Sequence, residues 1–133
     1  MEYVKIGDTE YDVSVVAVVE NFNILYTENT SRTVAVGARM FLDPLGTFYG
    51  HKVTFKRKHG KENEFDDLFM YISKPRRDGI PVKIVHNQKT LDYEAYISQG
   101  ERNLKKIDLI NKKVYWDEFT VDIIPMEAQV LPE

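Results

Sequence analysis

Two distant stretches of this chain alternate with a period of two residues. In "KVTFKRK", Val53 and Phe55 fall on one side, and Lys52, Thr54, Lys56 and Lys58 on the other. In "EFTVDI", Phe119, Val121 and Ile123 alternate with Glu118, Thr120 and Asp122. Successive side chains of a strand point to opposite faces, so each stretch reads as a strand with one core face and one solvent face. Such a sheet must cover its apolar face with another layer or by curling on itself. Val114 and Trp116 have the opposite parity to Phe119, which places a bulge near Asp117 or turns Trp116 outward.

Only one segment carries a helical period. Phe65, Leu68, Phe69 and Ile72 recur at i, i+3, i+4 and i+7, predicting a helix over 63–74. Asn63 suits the N-cap, Asp66 and Asp67 the positive end of the dipole, and Lys74 the last turn before Pro75 stops the helix. The remaining segments read as strands. Residues 3–6 enter a hairpin at Gly7–Asp8–Thr9, and 11–19 form the next strand. Asn21 and Asn23 interrupt it, and 24–26 make a short strand of their own. Residues 34–42 are strand-like, with a bulge at Gly37. "DPLG", residues 43–46, is a turn signal, and 47–58 the strand after it. Residues 80–97 form a hairpin turning at 87–89, with Val82 and Ile84 facing Leu91, Tyr93, Ala95 and Ile97. The sum is a mainly β (α+β) fold: an antiparallel β-sandwich or barrel, one flanking helix, and a long projecting loop or hairpin, in a single domain spanning 1–133.

Charge and composition narrow the function. The net charge is −3, which disfavours bulk binding to nucleic acid or to an anionic membrane. There is no cysteine, so disulfides, thiolate catalysis and thiolate zinc sites are excluded. The N-terminus, "MEYVKIGDTEYD", has no basic and apolar signal pattern, and no apolar run is long enough to span a bilayer. His51, His59 and His86 read as surface side chains, with no metal-ligand pair beyond a weak His59/Glu62 spacing. Glu62, Glu64, Asp66 and Asp67 could be imagined as a catalytic carboxylate cluster, but an acidic helix start explains them fully and is the favoured reading. No phosphate loop, dinucleotide fingerprint or nucleophile elbow occurs. The expectation is a protein that is not an enzyme and needs no cofactor or metal. Lys52, Lys56, Arg57 and Lys58, close to Phe55 and Tyr49, could instead stack and hold a single strand of nucleic acid. A solvated strand face accounts for the same residues. Lys105–Lys106 and Lys112–Lys113 read as solvated loop ends.

Several blocks together resemble small tail proteins of tailed bacteriophages and prophages of Gram-positive bacteria. "ENTSR", a Gly-containing apolar segment and "DPLGTFYG" place Arg32, Gly37, Asp43, Gly46, Thr47 and Tyr49 in the family's order. "EFDDLFMYISKP" is similar to its short helix. "LDYEAYISQGERNLKKI" matches it at Ala95, Tyr96 and Gly100, and "YWDEFTVDIIPMEAQVLP" at Trp116, Ile124, Met126, Gln129 and Pro132. The resemblance runs from Glu20 onward and departs at the basic "KVTFKRKHG". It implies a virion component made in the bacterial host cytoplasm: a tube, terminator, or tail-tip or baseplate ring protein with a sandwich or barrel and a helix. Its partners would be further copies of itself and neighbouring tail proteins, with no membrane partner. The expected subunit interface is an arm over 30–49 carrying Arg32, Met40, Phe41, Leu45, Phe48 and Tyr49, where apolar residues gather at a turn.

Overall fold

The computed structural model describes residues 3–33 and 37–133. Its elements run β1 (Val4–Ile6), β2 (Ser14–Tyr26), β3 (Ser31–Arg32), β4 (Met40–Phe41), β5 (Pro44–Lys56), α1 (Glu62–Ser73), β6 (Ile80–His86), β7 (Lys89–Tyr96), β8 (Gly100–Asp108) and β9 (Lys113–Pro125). One strongly curled antiparallel sheet forms a half-barrel in the order β1-β6-β7-β9-β5-β2, with β8 also paired to β9. The expectation of a mainly β fold with one helix and a projecting hairpin holds.

The period-two stretches are the centre of the body. Residues 51–56 of β5 pair β9 in register, Val53 with Val121 and Phe55 with Phe119. All four side chains are buried. The helix lays Phe65, Leu68 and Ile72 into the hollow of the curl. Phe119 is the hub: its ring lies 5.0 Å from Phe55, 5.1 Å from Phe65 and 5.6 Å from Phe69. Tilted and edge-on rings at these separations contribute beyond the area they bury. Arg102 of β8 fixes the helix from outside. Its guanidinium sits 4.0 Å from the Phe69 ring and 3.9 Å from Trp116, and donates to Asp66 at 3.1 Å. The β8–β9 register shifts between Arg102 and Leu104, opposite 116–119, where the change of parity predicts a bulge.

The structure corrects several boundaries. Lys61, not Asn63, occupies the N-cap, with no side-chain hydrogen bond, and Asn63 lies inside the first turn. Lys74 is the C-cap rather than a last-turn residue; its extended backbone is what the following Pro75 requires. β1 does not hairpin onto β2 but pairs β6 at the far edge of the sheet. β2 runs through Asn21 and Asn23 unbroken, because β5 supplies a partner along its whole length. Residues 100–108, with Lys105 and Lys106, form a strand rather than loop ends.

The 43–46 turn is absent: Pro44, Leu45 and Gly46 begin β5. Proline is tolerated as the first residue of a strand. Gly46 has φ +147°, and a side chain there would collide with Ala128 and the Val130 carbonyl. Its glycine admits the C-terminal tail, not a reversal. Of the expected strand over 34–42, residues 34–36 lie outside the described residues, and Met40–Phe41 pairs only Ser31–Arg32.

Candidate assembly surface

The outer halves of β2 and β5 continue past the body as a two-stranded ribbon. Residues 20–26 pair 44–51, Phe22 opposite Tyr49 and Ile24 opposite Thr47. Only 51–56 of β5 also pair β9. Beyond them, that side of β5 is taken by the tail. The Thr47 N–H donates to the Val130 carbonyl at 2.8 Å, and the Gln129 N–H to the Thr47 carbonyl at 3.0 Å. The Gln129 amide accepts from the Tyr49 N–H and donates to its carbonyl, at 3.0 and 3.1 Å, reproducing a strand's pairing with one side chain. The other edge of the ribbon, along β2, is the end of the sheet.

Apolar side chains clothe this ribbon. Phe22 is 65% exposed, and Ile24, Leu25 and Tyr26 lie open beside it. Phe41 is 55% exposed, with Met40, Leu42 and Leu45 comparably open. The connection beyond is held by the Thr27 hydroxyl on Asp43, by the Asp43 N–H on the Thr30 hydroxyl, and by Arg32 on the Ala38 carbonyl. Of the six expected interface residues, Arg32, Met40, Phe41 and Leu45 are exposed on the outer arm. Phe48 and Tyr49 are half-buried further down, and the Tyr49 ring lies tilted against His86 with centroids 4.8 Å apart. Sequence reasoning missed the β2 half, where Phe22, Ile24, Leu25 and Tyr26 leave no polar face beyond Asn23.

At the root of the arm lies a polar cluster that the sequence reading also missed. His51, expected at the surface, is 1% exposed. It shares the parity of Val53 and Phe55, and that is the signal that could have placed it in the core. Its Nε2 is 2.8 Å from Glu20 Oε2 and its Nδ1 2.8 Å from the Tyr93 hydroxyl. His86 Nδ1 reaches the same Glu20 oxygen at 2.8 Å. With Nε2–H donating to the carboxylate, Nδ1 of His51 accepts from Tyr93, and among the described residues no buried side-chain nitrogen or oxygen lacks a partner. Burial pushes the His51 imidazole below its ordinary value, against the pull of Glu20. Burial alone would raise the Glu20 carboxyl, but hydrogen bonds from His86 and His51 hold it lower than usual. Burial pushes the Tyr93 hydroxyl up. The cluster ties β2, β5, β6 and β7 together where the ribbon leaves the body.

The basic residues of the strand do not share one surface. Lys52 and Lys56 are exposed on the outer face. Arg57 turns inward, donating to the Trp116 carbonyl and to Glu62 and lying over Tyr115. Lys58 is paired with Asp12 at 2.7 Å. Asp66 and Asp67, expected at the start of the helix, lie past its first turn because the helix begins at Glu62; Glu62 and Glu64 are the acidic residues of that turn, and Asp66 is engaged by Arg102. Among the described residues no group of three or more histidine or acidic side chains could hold a metal. No protein-family model matches the chain, and no curated protein matches it.

Proposed function

We propose that this chain is a structural component of a bacteriophage or prophage tail, a tube, terminator or tail-tip ring protein, acting by self-assembly and docking rather than catalysis. The observation that carries the reading is the ribbon. Thirteen-residue strands extend beyond the core they share, clad in apolar side chains, and β2 leaves an open edge. A long apolar edge strand is a liability for a protein that works alone and an asset for one that assembles.

Two blocks that carry the resemblance also meet in space. Gly46, Thr47 and Tyr49 receive the tail segment holding Gln129, eighty residues away from Tyr49. A heterologous contact, arm to a different surface of the next copy, closes into a ring when the rotation permits. The test is gold-labelled antibody against the chain, applied to particles from an induced lysate. Labelling confined to the tails supports the proposal. Protein found only in the unassembled fraction, with unlabelled tails, overturns it.

A further inference from the structure

The β8–β9 hairpin ends in the two most exposed large hydrophobic side chains of the described residues, Leu109 at 84% and Ile110 at 92%. They stand at a convex tip, not in a groove. Ile107 and Val114, paired across the hairpin and both exposed, continue the apolar surface toward the body. Lys105, Lys106, Lys112 and Lys113 flank the tip; within residues 105–113 they face one carboxylate, Asp108, and Lys113 also lies near Glu62 of the helix. That carboxylate is spent inside the turn. One oxygen accepts from the Ile110 and Asn111 N–H groups at 3.1 and 3.2 Å, and the other from the Asn111 side chain at 2.9 Å. Those hydrogen bonds hold Asp108 below the usual carboxylate range. Tyr115 lies behind the tip with Lys106 5.0 Å from its ring.

We infer that this hairpin is a peripheral membrane contact, inserting Leu109 and Ile110 into an anionic phospholipid surface while its lysines meet the headgroups. Three features favour lipid over a protein partner. The tip is convex and fluid lipid adapts to it. Two of the turn's N–H groups are satisfied within the turn, as an apolar medium demands. The lysines flank the aliphatic pair from both strands, the arrangement that an anionic plane rewards. No helix among the described residues is long and apolar enough to cross a membrane. The contact refines the charge argument: the chain is acidic overall, but this tip is locally basic. It stands independently of the tail reading.

The test is co-sedimentation of the full chain with vesicles of phosphatidylcholine, with and without phosphatidylglycerol. Binding is expected only with the anionic lipid, and it weakens as salt rises. Leu109→Ser with Ile110→Ser should cut partitioning at least about tenfold. Lys112→Ala and Lys113→Ala should each cut it about fivefold at low salt. All four sites are exposed, so an unchanged melting temperature confirms that the variants fold. No binding to the anionic vesicles overturns the inference, as does equal binding to neutral ones. Binding that survives the serine pair overturns insertion. Loss of self-association in the serine variant, without any vesicle binding, makes the tip a contact between copies and removes the lipid.

Discussion

β5 is one strand with two lives. Its inner half, residues 51–56, is paired on both sides, by β2 and β9, and alternates buried with open positions. Its outer half, 44–50, has β2 on one side and only the thin clasp of 129–130 on the other. The inner half is held by burial, which needs no particular partner beyond the right shape. The outer half is held by backbone pairing and by a few polar contacts: Gln129 on Tyr49 and the Glu20–His51–His86 cluster at the root. The same backbone therefore serves first as core and then as an arm whose apolar side chains, among the described residues, stay largely exposed.

That contrast predicts an ordered set of responses. Phe119→Ala removes the hub ring and should destabilise the fold by about 3–5 kcal/mol in chemical denaturation. Leu68→Ala, under the helix, should cost about 2–5 kcal/mol. A loss below about 0.5 kcal/mol at either site would mean that the body is not packed as described.

The root cluster should respond to acid. His51 has a folded-state pKa below its unfolded value, so the unfolded chain takes up the proton first as pH falls. Stability is full above the unfolded value near 6.5 and declines as pH drops below it. Glu20, also lowered, adds a loss in the same direction through the carboxylate range. Denaturation at a series of pH values should show stability falling from pH 7 toward 5, and His51→Gln should flatten that slope. An unchanged slope in the variant would detach the cluster from the arm's anchoring.

Gln129→Ala removes two hydrogen bonds to Tyr49, and its global cost should be about 1 kcal/mol. Its sharper signature is local: amide exchange should accelerate at 47–50 while 53–56 stay protected. Equal acceleration in both halves would erase the distinction between arm and body.

The body was the legible part. Val53, Phe55, Phe119, Val121 and Ile123 announce their faces because one side of each strand is buried, and the helix stripe announces itself for the same reason. The arm was harder to read. β2 passes through Asn21 and Asn23 without alternation, because neither face of the ribbon is fully buried. "DPLG" carries turn chemistry but lies in a strand, since Gly46 answers to the tail passing over it, a contact no local pattern contains. β8, an edge strand of mixed charge, has no period to reveal it. The root cluster assembles Glu20, His51, His86 and Tyr93 from four strands, so only the parity of His51 hinted at it. Four of the six expected arm residues lie exposed, but the surface they share with Phe22 and Ile24 emerges only once β2 is seen to pair β5.

On the proposal above, the arm's apolar surface serves another chain and not the monomer's own core. The most direct measurement pairs thermal melting with particle incorporation for the double variant Phe41→Ser and Leu45→Ser. The stability change should be below about 0.5 kcal/mol, as for exposed sites, while incorporation into tails is lost. A variant that unfolds would show that these side chains belong to the monomer's own packing. One that stays folded and still incorporates would show that the arm is not the contact.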